Sequence, residues 1–283
     1  MQIKHKNSKK ILHNVGYHIS SKELKGGNFL EDKMKEYGLG WAQFFLGNPR
    51  SYNLGEPTME RVKNSSLELN YVVHGPYIVN IVNSDKGFYK RSQACIIEAL
   101  EACHQLGVDY YVTHLGSLEE KATKAEVVDR LVESCKYMLD ELDSGVKTKL
   151  LLETSPGSKS GTKIGTLEEL LEVVAVVASD NLGLCLDTEH AFANGLDLAE
   201  LDLDKIGPEI DVVHLNSIPK DVELNSHRDK HGKTAIVDSR EDIMESLARL
   251  IKYFDRVGVP LILERSGEEI IESDLQYLKA VLD

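Results

Sequence analysis

Short apolar runs alternate with longer amphipathic stretches along almost the whole chain. Most of the runs are four to eight residues long and rich in Val, Ile, Leu or aromatic residues, as buried parallel strands are. The pattern therefore predicts eight strands, of which the first is the least regular. The runs are 11-ILHNVGYHI-19, 41-WAQFFL-46, 71-YVVHG-75, 110-YYVTH-114, 149-KLLLET-154, 182-LGLCLDT-188, 211-DVVHLN-216 and 260-PLILER-265.

The stretches between these runs carry apolar residues at helical spacing. One apolar stripe lies within 84–107 and ends at Gly107, and another lies within 239–254. A third stretch opens with Thr166 and Glu169, which have the spacing of a capping box. We therefore predict a helix after most of the strands.

Repeated strand–helix alternation predicts an α/β protein that forms a single-domain (β/α)8 TIM barrel over residues 11–283. Residues 1–10 form a polar, basic N-terminal tail before it. An open doubly wound sheet is the alternative, and such sheets usually carry a Gly-rich phosphate turn after the first strand. Here the first strand runs into YHISSKELKGG, which is not a GxGxxG turn and so favours the barrel.

Composition agrees with an intracellular protein that has a sizeable core. The chain has 283 residues, of which 42% are hydrophobic, without an apolar run of 18 residues or a secretory signal. Its four cysteines form no CxxC pair and have apolar neighbours, which favours reduced thiols. We expect a reducing compartment, either cytoplasm or nucleus, or a virion for a viral protein.

The net charge of −13 argues against a nucleic-acid binder built on a broadly basic surface. It does not argue against an enzyme that binds nucleic acid through local positive charge or through bound metal ions. Three divalent ions would change the charge from −13 to −7, since −13 + 6 = −7.

Residues of the types that bind metals, His, Asp and Glu, occur at the carboxyl ends of the predicted strands. The carboxyl ends of barrel strands meet at one mouth, where active sites lie, so these side chains should converge. They end six successive runs, from the third to the eighth: His74, His114, Glu153, Asp187, His214 and Glu264.

Further candidate ligands follow the sixth and seventh strands. His190 lies just after Asp187, and 227-HRDKH-231 contains Asp229 and His231. Nine ligands are too many for one tetrahedral ion, so we expect two or three ions, with zinc favoured by the mixture of imidazole and carboxylate. Such clusters fit phosphoryl chemistry. His18, near the end of the first strand, is left open as a residue that lines the site.

Several motifs resemble those of the endonuclease IV family, the metal-dependent apurinic/apyrimidinic (AP) endonucleases of base-excision repair. The most specific stretch is 185-CLDTEHAFANGLDL-198, followed by 213-VHLN-216 and 260-PLILE-264. The run 150-LLLETSPGSKSGTKIG-165 also resembles the family's segment around its metal-binding glutamate. The resemblance extends over nearly the whole chain and implies the same barrel fold.

The resemblance implies three zinc ions, with Mn²⁺ able to replace zinc in part. Glu153 would bridge two ions and act as the catalytic residue by orienting the attacking water. The ligands implied are His74, His114 and Glu153 for the first ion, Glu153, Asp187, His214 and Glu264 for the second, and His190, Asp229 and His231 for the third.

The resemblance also implies the reaction and the partner. The family cleaves the phosphodiester 5′ to an abasic site, leaving a 3′-hydroxyl and a 5′-deoxyribose phosphate, and trims blocked 3′ ends. The expected partner is double-stranded DNA with such lesions, without a membrane, and the expected state is a monomer.

DNA contacts are implied by loops that match the family. The loop 43-QFFLGNPRSY-52 makes Arg50 the side chain expected to insert into DNA, with Asn48 beside it, and HGPY supplies Tyr77. Cations on the other mouth loops should contact phosphates, where they set affinity and salt dependence. These are Lys163, Arg228, Lys230 and Lys233.

The chain departs from the family pattern around the seventh strand. The usual HLND is HLNS here, with Ser217, and Asp229 and His231 are followed by GKTAI in a shortened loop. The third ion is therefore the least securely matched. Glu189 occupies a variable position and is not expected to be a ligand.

Two other functions remain open at this point. A sugar isomerase or epimerase on the related xylose-isomerase-like barrel would hold one or two manganese ions on about four ligands. A non-catalytic DNA-damage binder would bind abasic DNA without nicking it. Metal content and a nicking assay separate the three.

Overall fold

Eight parallel strands close into one barrel, in which β1 pairs with both β2 and β8. This is seen in a computed structural model, which describes residues 12–116, 122–158, 164–230 and 232–283. The strand order follows the chain. The strands are β1 Val15–His18, β2 Trp41–Phe45, β3 Asn70–His74, β4 Tyr110–Thr113, β5 Lys149–Glu153, β6 Leu182–Asp187, β7 Ile210–His214 and β8 Leu261–Leu263.

Helices connect the strands and pack around the outside of the barrel. Short 3₁₀ turns stand at Glu23–Lys25, Gly207–Glu209, Ile236–Asp238 and Glu241–Ile243. The α-helices of the described residues are α1 Phe29–Tyr37, α2 Glu56–Lys63, α3 Lys86–Gln105, α4 Lys124–Asp140, α5 Leu167–Val177, α6 Thr188–Ala193, α7 Leu203–Ile206, α8 Met244–Val257 and α9 Glu268–Leu282.

Two apolar clusters form the core. The larger one lies between the sheet and the helices, and the smaller one fills the barrel interior. The interior is built from one residue on each of seven strands: Trp41, Val72, Val112, Leu151, Cys185, Val212 and Ile262. The remaining strand, β1, has Gly16 packed against the backbone of Trp41, where a Cβ atom would clash.

The predicted barrel and all eight predicted strands are confirmed. The predicted capping box is present, because the Thr166 hydroxyl accepts from Glu169 N while the Glu169 carboxylate accepts from Thr166 N. Gly107 follows α3 with a φ of +70°, a conformation that favours glycine. The tail predicted for residues 1–10 lies outside the described residues.

All four cysteines are buried free thiols: Cys95, Cys103, Cys135 and Cys185. Within the described residues, every helix is too short or too polar to cross a membrane.

Candidate metal centre

The side chains at the barrel mouth follow directly from the interior layer. Side chains two residues apart on a strand point to the same side of the sheet, so each interior residue is followed by one that faces the mouth. The step from Val72 leads to His74, and the step from Leu151 leads to Glu153. The same step from the other interior residues leads to Gln43, His114, Asp187, His214 and Glu264.

Glu153 lies at the centre of this arrangement, with a side chain that is only 1% exposed. Its Oε2 atom is 3.4 Å from His74 Nε2 and 3.5 Å from His114 Nε2. Its Oε1 atom is 3.1 Å from His214 Nδ1 and 3.4 Å from His190 Nδ1. One carboxylate therefore faces imidazoles from four different segments of the chain.

Three of these imidazoles are oriented by a hydrogen bond from one of their two ring nitrogens. His74 Nδ1 donates to the carbonyl of Gly75 over 2.7 Å, and His214 Nε2 donates to Gln43 Oε1 over 2.8 Å. His190 Nδ1 donates to the carbonyl of Thr154 over 3.0 Å. In metal sites the same arrangement fixes the tautomer and leaves the second nitrogen for the ion.

Asn216 holds two of the carboxylates together. Its amide Nδ2 donates to Asp187 Oδ2 over 2.6 Å and to Glu264 Oε2 over 3.2 Å. Gln43 Nε2 donates to the other oxygen of Glu264 over 2.7 Å and approaches His18 Nδ1 at 3.1 Å. His18 therefore lines the mouth, which the sequence left open.

Behind Asn216 lies a buried ion pair that reaches helix α9. Arg265 Nη1 donates to Asn216 Oδ1 over 2.5 Å, and its Nη2 donates to the carbonyl of Leu215 over 3.2 Å. The Nε atom of the same guanidinium donates to Asp274 Oδ2 over 3.0 Å, and both side chains of this pair are fully buried. Asp274 Oδ1 also accepts from Ile236 N over 2.6 Å. The amide of Asn216 is thus fixed with its nitrogen toward the carboxylates.

A third part of the centre surrounds His190. The Nε2 atom of His190 is 3.5 Å from Asp229 Oδ2, on the side away from Glu153. His231 lies outside the described residues. Glu189, which the sequence sets aside, is fully buried here, and its Oε1 atom accepts from Lys230 N over 3.2 Å. Potential ligand atoms of Glu189, Asp187 and His190 lie within 4.8 Å of one another.

The carboxylates and imidazoles of the centre shift one another's pKa values in both directions. Burial alone would raise the pKa of Glu153, but the imidazoles of His114 and His214 and hydrogen bonds from His190 and His214 hold this pKa well below its usual range. Burial lowers the pKa of His190, yet Asp187, Asp229 and Glu153 outweigh it and raise that pKa well above its ordinary value. His114, in contrast, has its pKa lowered to about 4, chiefly by burial.

These residues fit divalent cations. Ligand atoms that lie within 4.8 Å of one another form one group of His74, His114 and Glu153 and another of Glu153, Asp187, His214 and Glu264. The two groups share Glu153, whose Oε2 atom is buried without a hydrogen bond to the described residues. Imidazole and carboxylate together are zinc ligands, and a shared carboxylate is how two neighbouring ions are bridged.

The mouth is open enough for a substrate. It forms a cavity of about 400 Å³, lined by Phe45 and Tyr77 as well as by His18, Glu153, Glu264 and Arg265. Tyr77 is 59% exposed, and its ring centroid is 5.8 Å from that of His114.

The described residues that were expected to contact DNA lie on the loops after β2, β3 and β7. Asn48 and Arg50 are exposed on the loop after β2, where Asn48 Oδ1 accepts from Arg50 N over 2.8 Å. Arg228, Lys230 and Lys233 are exposed on the loop after β7. Lys230 Nζ bonds to the carboxylate of Asp221, and Lys163 lies outside the described residues.

Sequence reasoning missed the residues that orient the ligands. Gln43, Asn216 and Arg265 are ordinary polar residues, and their partners are distant in the chain. The strand period gives a signal for Gln43, which follows Trp41 by two residues as Glu153 follows Leu151. Ser217, where the family pattern has an aspartate, is buried and donates from Oγ to the carbonyl of Thr234 over 2.7 Å.

Comparison with known proteins shows the family to which the chain belongs. Residues 32–236 match the model of the AP endonuclease family 2, described as a xylose isomerase-like TIM barrel. A probable endonuclease 4 of Persephonella marina is 32% identical over 238 residues, which cover 77% of this chain and 79% of the relative.

Solved structures agree with this. Endonuclease IV from Thermus thermophilus superposes with a TM-score of 0.71 and 27% identity, over 95% of this chain and 98% of the other. A D-tagatose 3-epimerase-like protein has a TM-score of 0.69 at 22% identity, over 95% of this chain and 96% of the other, and shares the fold alone. With its barrel, its motifs and these relatives, the chain belongs to the endonuclease IV family.

Proposed function

We propose that this protein is a zinc-dependent AP endonuclease that hydrolyses the phosphodiester 5′ to an abasic site and trims blocked 3′ ends of DNA. The observation that supports it best is the pair of ligand groups that share buried Glu153 beside His190. A centre of this size exceeds what one tetrahedral ion requires. Membership of the endonuclease IV family gives the centre its expected chemistry.

Three ions are proposed, each held by its own ligand group. Bound zinc would activate water and stabilise charge on phosphate oxygens. The first ion would be held by His74, His114 and Glu153, the second by Glu153, Asp187, His214 and Glu264, and the third by His190, Asp229 and His231.

The chain's own side chains orient the reaction. Glu153, which is buried and lines the mouth cavity, would orient the attacking water toward a phosphate in that cavity. Tyr77 lines the mouth and would contact the abasic nucleotide, while Arg50 on the neighbouring loop would fill the gap in the base stack. Moving a nucleotide out of the stack is easiest where a base is already absent.

The experiment is a nicking assay on a duplex with one abasic-site analogue, combined with elemental analysis of the same preparation. We expect nicking and about three zinc ions per chain, with nicking lost after chelation and restored by zinc. Glu153→Gln should lower kcat by at least about a thousandfold, as loss of a catalytic group does. Glu133→Gln, an exposed glutamate on α4, is the control and should keep full activity.

The outcome also decides between this function and the others. One or two manganese ions per chain, with no nicking, would favour a sugar isomerase or epimerase. Tight binding of abasic DNA without nicking would favour a damage-binding protein. Wild-type cleavage by Glu153→Gln would contradict the role of Glu153.

A further inference from the structure

A second groove lies directly beside the mouth, over the loops that follow β3, β4 and β5. It has a volume of about 510 Å³, within the usual range for ligand sites. Its lining includes Tyr77, His114 and Asp229, which belong to the mouth or its rim. A polymer bound at the metal centre can therefore continue into this groove.

The outer end of the groove carries an exposed aromatic ring. Phe88, in the first turn of α3, is 53% exposed and lines the groove together with Asn80 and Asn83. Tyr77, at the inner end, is 59% exposed. A single exposed apolar residue is common on protein surfaces, but two exposed rings along one groove provide flat faces on which bases can stack.

Positive charge accompanies Phe88. The guanidinium carbon of Arg91 is 5.9 Å from the ring centroid of Phe88 and 5.7 Å from that of Tyr52, so Arg91 lies against both rings. Lys86 and Lys90 are exposed on the same turns of α3. In the described parts of the chain, none of these three cations forms an ion pair with a carboxylate.

These cations lie where they could contact the phosphate backbone of DNA bound at the mouth. The whole chain has a charge of −13, so a phosphate backbone can be attracted only where cations are concentrated. Tyr52 belongs to the loop that also carries Asn48 and Arg50, so Arg91 connects that loop with the groove.

We propose that this groove binds the DNA strand that flanks the abasic nucleotide. Phe88 stacks on a base or deoxyribose of that strand, and Arg91 binds a backbone phosphate. The proposal rests on the proposed function and extends it, because it assigns the contacts to undamaged DNA beside the lesion. Stacking tolerates any base, so the flank can have any sequence.

The test compares Phe88→Ala and Arg91→Ala with matched controls elsewhere on the surface. Tyr137 is an aromatic residue on α4 that is 47% exposed, and Arg256 on α8 lies 5.2 Å from the ring of Tyr253. Tyr137→Ala and Arg256→Ala therefore remove the same kinds of side chain far from the groove. Steady-state nicking of the abasic duplex is measured for all variants across a range of salt concentrations.

We expect Phe88→Ala to raise KM by about 5- to 150-fold, the range that one stacked base provides, with little change in kcat. Arg91→Ala should also raise KM and reduce the slope of log KM against log salt by about one, as loss of one phosphate contact does. Zinc content and melting temperature should match those of the controls. Phe88→Trp, which keeps a stacking face, should retain a low KM.

Shortened duplexes locate the contact. When the flank is removed on one side of the lesion only, the effect of Phe88→Ala should disappear for one of the two shortened substrates. Persistence of the effect on both, or KM values for both groove variants equal to the controls, would overturn the groove proposal while leaving the proposed function intact. Absence of nicking by the wild-type protein would instead remove the proposed function, and this proposal with it.

Discussion

At the scale of single residues, the candidate metal centre includes side chains that orient its proposed ligands. The candidate ligands could be chosen from the sequence, because His, Asp and Glu at successive strand ends form a recognisable pattern, and the structure brings several of them together at the mouth. Gln43 could not, because glutamine has no specific metal chemistry and its partner His214 is 171 residues away. The contact exists only because β2 and β7 face the same mouth of the closed barrel.

Gln43→Leu should weaken zinc binding by about 10- to 100-fold, the usual effect of losing a group that orients a metal ligand. The variant frees the ring of His214 and one oxygen of Glu264, both proposed ligands of the second ion. Competition with a chromogenic chelator measures the affinity. Gln93→Leu removes another buried glutamine, whose Nε2 donates to Ser134 far from the mouth, and should leave zinc affinity unchanged. Equal affinities for the two variants would refute the role of Gln43.

At the scale of elements, helix α9 is joined to the candidate metal centre through Asp274, Arg265 and Asn216. Sequence periodicity predicts helices such as α5 with their caps, because these depend on residues three or four apart. It does not predict which helix supports the site. That depends on a buried ion pair between Arg265, which follows β8, and Asp274, within the last helix.

Arg265→Met should destabilise the fold by about 3–5 kcal/mol, because it leaves Asp274 buried without its charge partner. The double variant Arg265→Met/Asp274→Leu should recover most of that loss, since apolar side chains of similar size replace the pair. Its zinc should still dissociate faster than that of the wild type, because Asn216 is no longer oriented. Chemical denaturation and zinc release kinetics test the two effects separately, and wild-type zinc retention in the double variant would contradict the second.

Helix α5 provides a prediction that depends on pH. Burial raises the pKa of Glu169, but hydrogen bonds from Gly165 N, Lys124 and Thr166 N outweigh it and lower this pKa below 4.5. The ionised form therefore stabilises the fold fully at pH values above 4.5, and this contribution is lost as the pH falls through the lower folded-state pKa. Glu169→Gln should lower the free energy of unfolding near neutral pH by about 1 kcal/mol and by less in acid.

The control is Glu168→Gln, the exposed neighbour in the same helical turn. Urea unfolding of both variants near neutral pH and in acid gives the comparison. A difference between them that stays constant with pH would contradict the proposed protonation of Glu169.

At the scale of the whole molecule, the alternation of runs and helices was enough to predict the barrel, because only closure gives all eight strands two neighbours. The position of the mouth also followed, since the strands share one direction. What could not follow was the groove proposed to bind DNA, because Phe88 and Arg91 look like surface residues of a helix until α3 is placed beside β3 and β4. Long-range neighbours are fixed by topology and not by local pattern.

Removal of metal should destabilise the whole barrel, because the proposed ions would link side chains from β3 through β8 only in the folded chain. An ion that binds only the folded chain contributes about 4 kcal/mol when its concentration is a thousand times its Kd. We expect chelation to lower the melting temperature and zinc to restore it, as differential scanning calorimetry can measure. An unchanged melting temperature after verified loss of zinc would show that the centre contributes nothing to stability.

Asp187 caps helix α6 and is also a proposed metal ligand, so the hydrogen bond of the cap can report whether metal is bound. Its Oδ1 atom accepts from His190 N over 2.8 Å and caps α6, while its carboxylate is also proposed to bind an ion. A change in the orientation of this carboxylate would therefore alter the hydrogen bond that caps the first turn of α6. The amide proton of His190 should exchange with solvent more slowly when metal is bound, so that hydrogen–deuterium exchange at this one amide follows the occupancy of the centre in solution.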